Sequence, residues 1–242
     1  GLVGSEMCIR DRNTTALPAA TIADGSDHFD VSTWIVPANN ADTTITGLSY
    51  SPDWIITKNR SQAYEGFTYD SVRGDDKFLK LLSPSANAAE GTDATRMTIQ
   101  SNGFELDADN DNANYTAGSA SVAWSWNAGT STVSNSDGSI SSNVRANPTA
   151  GFSIIQWTGN GSAGATVGHG LNAAPEWIVF KRTSATENWN TYHISMGASK
   201  LAALNSTNAA SSTNDFNNTS PTNSVFSLGS GSGNNSSGST YI

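Results

Sequence analysis

Three aspartates at alternate positions, Asp107, Asp109 and Asp111 in the run LDADNDNAN, are the sharpest chemical signal in the chain. Calcium prefers carboxylate oxygens of this kind. An EF-hand loop opening at Asp107 would need Gly at its sixth place and Glu at its twelfth, where the chain has Asn112 and Gly118. The default reading is a solvated acidic turn, with calcium the one ion this trio would suit, and no other cofactor is expected. His28, His169 and His193 show no His-x-x-x-His zinc spacing, and no Gly-x-Ser-x-Gly nucleophile elbow occurs. Asp75 and Asp76 are adjacent, so on a strand they point to opposite faces, unlike carboxylates paired across a glycosidase cleft. The run GNGSAGATVGHG (Gly159–Gly170) carries no Lys and opens no helix, so it reads as a turn-rich loop and not a phosphate cradle. With no catalytic constellation in the sequence, a non-enzyme is expected.

The elements that carry these residues repeat. Shifted by 123 positions, Phe29 falls on Phe152 and Trp34 on Trp157, and GLSYSPDWIITKNRS (Gly47–Ser61) falls on GLNAAPEWIVFKRTS (Gly170–Ser184). The register continues through Thr68 and Thr191, Tyr69 and Tyr192, Gly74 and Gly197, Lys77 and Lys200, and Leu81 and Leu204. After a slip of one residue, Phe104-Glu105-Leu106 matches Phe226-Ser227-Leu228. Each copy reads as short strands between turn signals: DWIITK and EWIVFK, GFTYDS and NTYHIS, KFLKLL and SKLAAL. MTIQSNGFEL predicts a hairpin around Ser101-Asn102-Gly103. SVAWSW places Val122, Trp124 and Trp126 on one face of a half-buried strand. SKLAALNSTNAA is the one stretch that also suits a short helix.

This pattern predicts an all-β protein of two tandem antiparallel sandwich repeats. They span residues 13–127 and 151–242, with a joining segment, 128–150, in which SISSNVRA adds an edge strand. The second copy stops at GSTYI, so the C-terminus is expected to fall inside its last strand. Matched aromatics, Trp54 and Trp177 among them, are read as core. Trp189 has Gly66 as its repeat partner, so the repeated core does not require it. Packing under its loop is the preferred role for this Trp, and stacking on a sugar ring is the alternative.

Composition narrows the partners. Charged residues make up 14% of the chain and the net charge is −9, so polarity comes from hydroxyls and amides. A sequence pI near 4.6 opposes nucleic-acid binding, which needs clustered Lys and Arg. No apolar run reaches the roughly 20 residues of a membrane-spanning helix. The first twelve residues, GLVGSEMCIRDR, lack a signal peptide's apolar run and resemble a translated sequencing adapter of the transposase type. Excluding 1–12 from the fold removes Cys8, the one cysteine, and two charges of each sign, so −9 stands.

P(D/E)WI(I/V)xK in both copies, FTYDSVRG (Phe67–Gly74), GFEL (Gly103–Leu106) and VAWSW (Val122–Trp126) resemble a tandem β-domain of structural proteins of marine tailed phages. The resemblance implies concanavalin-type, jelly-roll-like lectin sandwiches in tail fibres or other virion appendages. It implies other virion proteins, further copies of the chain and host-surface glycan as partners, and it transfers no catalytic residue. A secreted or surface carbohydrate-binding or adhesin module of bacteria is the alternative.

Overall fold

The computed structural model describes residues 22–38, 41–81, 86, 88–108 and 113–242. Residues 1–12, Asp109 and Asp111 lie outside the described residues. All regular structure among the described residues is strand, apart from one 3-10 turn, Gly25–Asp27, whose N-terminal N–H is capped by the Asp24 carboxylate.

Nine strands form the first half. They are β1 (Phe29–Ile35), β2 (Thr43–Thr46), β3 (Trp54–Asn59), β4 (Phe67–Asp70), β5 (Gly74–Lys80), β6 (Gly91–Thr92), β7 (Met97–Gln100), β8 (Gly103–Leu106) and β9 (Ala120–Trp126). One antiparallel sheet has the order β1-β9-β3-β4-β5-β6, and a second has β2-β8-β7. Ile55, Phe67 and Tyr69 of the first sheet and Met97, Phe104 and Leu106 of the second form one buried cluster, so the core lies between the two sheets. The predicted hairpin joins β7 to β8 with Gln100 opposite Gly103 and Ser101-Asn102 as its loop. Gly103 is required there: a Cβ would stand 1.8 Å from the Ile45 carbonyl oxygen of β2.

Ten strands follow: β10 (Val133–Asn135), β11 (Ser142–Asn147), β12 (Phe152–Thr158), β13 (Ala165–Gly168), β14 (Trp177–Phe180), β15 (Asn190–His193), β16 (Lys200–Ala203), β17 (Ser211–Ser212), β18 (Val225–Leu228) and β19 (Thr240–Tyr241). They pair as β10-β11-β12-β19, β13-β18 and β14-β15-β16-β17 around a core that includes Trp157, Phe180, Tyr192, Phe226 and Tyr241. The stretch that also suited a helix holds strand β16; Leu201, packed on that core, gains more from sheet pairing than from helix propensity. SISSNVRA is not an edge. Strand β11 lies between β12 and β10, and β10 takes the edge.

Local bonds recur at the sequence offset. Trp54 donates its indole N–H to Thr68 Oγ1, and Trp177 donates to Thr191 Oγ1 at 2.6 Å. Lys58 Nζ bonds the carbonyl of Tyr64, and Lys181 Nζ bonds that of Glu187 at 2.7 Å. Gly118 and Gly238 both take positive φ, +75° and +73°, just before β9 and β19. A left-handed residue at that corner explains a glycine in each copy.

His169 gives the fold a pH dependence. It is buried, its Nε2–H donates to the Thr222 carbonyl at 3.1 Å, and its Nδ1 accepts the Leu171 N–H at 3.2 Å; these partners assign the neutral tautomer. Burial lowers its pKa below the ordinary 6.5, against opposing effects of Thr222 and Asp137. A depressed folded pKa means the contribution is complete above 6.5 and is lost as pH falls through the folded value. Urea unfolding at neutral and acid pH should therefore show stability declining below pH 6.5, with a shallower decline in His169→Gln.

Candidate functional site

Strand alternation builds the most distinctive surface. In β9 the side chains of Ser121, Ala123 and Ser125 face inward and are fully buried, so Trp124 and Trp126 face outward. Phe29 of β1 and Trp54 of β3 flank Trp126 in register, and Val31 and Ile56 flank Trp124. The result is a ladder of rings: Phe29 to Trp126 at 4.9 Å, Trp126 to Trp54 at 4.6 Å, and Trp54 to Phe152 of β12 at 5.9 Å with planes 14° apart. Offset and tilted contacts of this kind are favoured by the ring quadrupoles. Phe29 is 38% exposed, and Val31 and Ile35 extend the apolar strip to 45% and 63%.

This placement corrects part of the core assignment. Trp34, Trp157, Tyr69 and Tyr192 do pack on the interior, but Trp177 is 59% exposed and Trp54 is half-buried on the outer face. Ile55 and Thr57, its alternate neighbours, take the inner positions at zero exposure.

The ladder crosses from the first half to β12 of the second, and an ion pair sits at its base. Asp53 is almost fully buried; Arg145 Nε lies 2.6 Å from its carboxylate. The same carboxylate accepts from Ser71 Oγ and from the Ala128 N–H, each at 2.8 Å. Burial pushes the Asp53 pKa up, and these three donors oppose it.

The other chemical candidates are not gathered into a site. Asp107 donates its backbone N–H to the Arg96 carbonyl, and no cluster of three His, Cys, Asp or Glu residues able to hold a metal occurs among the described residues. The three histidines are each held locally: Asn147 donates to His28 Nδ1, Ser195 N–H donates to His193 Nδ1, and His169 is bonded as above. Asp75 accepts the Ile99 N–H while Asp76 pairs with Lys77 at 2.9 Å. The glycine-rich loop is tied down by Asn235, which accepts the Asn160 N–H and donates to the Ser162 and Gly229 carbonyls. Burial lowers Lys181 to about 8, yet Lys58 makes the same backbone bond in the first half, so the shared geometry is that of a strut.

Trp189 is buried at 4% exposure. It packs with Leu79 and Ala86 of the first half, and its indole N–H donates to the Lys80 carbonyl at 2.8 Å. Its ring therefore offers no open face for a sugar, and it seals a seam between the two halves. Glu90 reinforces that seam, donating its N–H to the Thr183 carbonyl and pairing with Arg73, which also binds Asp70.

At the end of β12 away from Phe152, Ser141, Asn143, Gln156, Thr158 and Thr240 line an open depression of about 190 Å³ without a charged residue. Amides, hydroxyls and aromatic faces suit a neutral polyhydroxylated ligand better than an ionic one. Fold and surface together define an all-β, sandwich-class protein with an aromatic outer face. The chain belongs to a family known as a domain of unknown function (DUF7483), matched over residues 24–242. No curated protein and no solved structure matches the chain.

Proposed function

We propose that the protein is a non-enzymatic structural protein of a tailed-phage virion, a tail-fibre or appendage module that contributes to attachment on host-surface glycan. Residues 13–127 and 151–242 act as tandem concanavalin-like sandwiches within it. The observation that carries the attachment role is the Phe29–Trp126–Trp54–Phe152 ladder, half-buried on the outer face of a sheet and open at Phe29. Such rings stack on the apolar C–H face of a pyranose while neighbouring amides bind its hydroxyls. The virion placement is supported by the sequence resemblance and by a composition poor in charge.

A glycan array probed with the wild-type chain and with Trp126→Ala tests the attachment role. Trp126 is a half-buried outer residue, so the variant should remain folded and bind at least about thirtyfold more weakly, the loss of one hot-spot side chain of about 2 kcal/mol. Absence of any bound glycan, or binding indifferent to Trp126, would sink the reading. Long-read sequencing of the parent DNA separates the settings: tail and capsid neighbours support the virion, whereas a signal peptide or hydrolase domain upstream favours a secreted bacterial carbohydrate-binding module.

A further inference from the structure

The two halves carry opposite charge at one repeated position. In the first, the Asp107 N–H bonds the Arg96 carbonyl at 3.1 Å; in the second, the Gly229 N–H bonds the Asp215 carbonyl at 2.7 Å. Gly229 follows Phe226-Ser227-Leu228 as Asp107 follows Phe104-Glu105-Leu106, and the residues after Arg96 and Asp215, Met97 and Phe216, are both core. Asp215 therefore stands where the first half has Arg96. The Arg96 guanidinium lies over Phe67 and Phe78, 4.7 and 4.4 Å from their ring centres, and pairs with Asp93. At the offset of 123 positions those rings become Asn190 and Leu201. The second half thus has a carboxylate beside an amide where the first has a cation on an aromatic bed.

Asp215 enters no ion pair among the described residues. Burial raises its pKa, a hydrogen bond from Thr213 opposes the rise, and the negative charge of Glu187 adds to it. Further oxygens gather beside it. Asn234 is buried at 1% exposure; its Nδ2 donates to the Asp215 carbonyl at 2.5 Å, and its Oδ1 is buried without a partner. A buried amide oxygen left without a donor calls for an explanation. Asn190 is buried as well, and Gly233 abuts both its amide and the carboxylate: a Cβ there would lie 3.3 Å from Asn190 Nδ2 and 3.4 Å from Asp215 Oδ2. Gly231 closes the other side, where a Cβ would lie 2.4 Å from Asp215 Oδ1. Asp215 itself is half-buried, and an open depression of about 410 Å³ begins at its neighbours Thr213 and Asn214.

We propose that Asp215, Asn234 and Asn190 form a binding site for a calcium-class cation, in the place that the Arg96 guanidinium fills in the first half. Calcium takes six to eight oxygens in flexible geometry, and carboxylates, side-chain amides and water all serve. Asp215 supplies the charge and up to two oxygens, and Asn234 supplies its unpartnered Oδ1. Asn190 supplies Oδ1 once its amide is turned over, an exchange that needs no extra space. Water entering past Thr213 completes the shell. Imidazole and thiolate, the ligands favoured by softer metals, are missing from the set. One carboxylate with two neutral amides makes a weak site, with Kd on the order of 10⁻⁴–10⁻³ M, the range of extracellular calcium modules. The bound ion would tie the loop after β18 to β15 and to the connection between β17 and β18. The site is separate from the Asp107 run, whose counterpart in the second half, LGSGSGNN (Leu228–Asn235), has no carboxylate.

The probe is calcium chloride, added to the intact chain after treatment with a chelator and followed by calorimetry, thermal unfolding and the side-chain amide NMR signals of Asn190 and Asn234. The expected result is saturable binding that shifts both amide signals and raises Tm by roughly 3–6 °C at about ten times Kd. Asp215→Asn keeps the shape, removes the charge and should weaken binding at this site at least about tenfold. Calcium held by the Asp107 run would survive that substitution and leave the Asn234 signal in place, so the two sites are told apart. Asn190→Asp adds a second carboxylate. It should destabilise the calcium-free chain by repulsion with Asp215 and bind calcium at least about tenfold more tightly, which tests the site if Asp215→Asn does not fold. The proposal is overturned if calcium up to about 10 mM leaves the Asn234 amide unmoved, or if Asp215→Asn binds as the wild type does. It is equally overturned if a Lys or Arg of a second copy pairs with Asp215, seen as a dimer that Asp215→Asn dissociates.

Discussion

Replacing Trp189 by Ala is expected to lower the unfolding free energy by about 3–5 kcal/mol, the range for removing a buried indole. The ring packs on Leu79 and Ala86, with Leu81, Val179 and Ile242 against the same cluster, so its loss opens a cavity between two rigid halves that cannot collapse fully. The Lys80 carbonyl also loses its donor. Trp189→Phe keeps much of the ring contact and removes that bond, so it should cost less, about 1 kcal/mol for the bond plus the packing of the smaller ring. Urea unfolding reads both values, and thermal unfolding of Trp189→Ala should fall by roughly 10 °C for a chain of this size. If Trp189→Ala keeps full stability but loses glycan binding, the ring is a sugar platform and not a seam.

The sequence legibly predicts strands, their repeat and the Ser101-Asn102 hairpin because those depend on local pattern: alternation, turn residues and an offset shared by Trp54 with Trp177 and Thr68 with Thr191. It does not show which face of an alternating strand turns inward. In SVAWSW the apolar weight lies with Val122, Trp124 and Trp126, yet Ser121, Ala123 and Ser125 face the core. The reason is steric. Strand β9 lies between β1 and β3, and Trp34, Ile55 and Phe104 already occupy the space beneath it, leaving room for small side chains only. The large rings then shield one another on the outer face, and the candidate binding surface is that ladder. The seam was hidden for a different reason. Trp189 stands where the first copy has Gly66, and a residue that breaks a repeat carries no information from its twin; its partners, Leu79 and Lys80, are more than one hundred positions away.

Asp53 is the second residue whose role its twin conceals, and it carries the second large prediction. Glu176, the repeat partner, is exposed, whereas Asp53 is buried and receives Arg145, Ser71 and Ala128. Two of those donors, Ala128 and Arg145, belong to residues 128–150, so this carboxylate clamps the joining segment onto the first half. Asp53→Ala leaves a buried N–H, a hydroxyl and a largely buried guanidinium without their shared acceptor, an expected loss of about 3 kcal/mol. Asp53→Asn separates charge from hydrogen bonding. Because burial holds the Asp53 pKa above the ordinary carboxylate value, the fold already disfavours the charge relative to water, and the amide oxygen can still accept. The Asn variant should therefore lose only about 1 kcal/mol. The sign with pH follows from the same raised value: this contribution is complete at low pH and shrinks as pH rises through the folded pKa. Acid should therefore weaken the His169 region before it opens the Asp53 clamp. Hydrogen exchange of the Ala128 amide against that of Leu171, followed down in pH, should show the Leu171 amide losing protection first. If Asp53→Asn instead proves as damaging as Asp53→Ala, the ion pair with Arg145, and not the acceptor geometry, holds the joining segment in place.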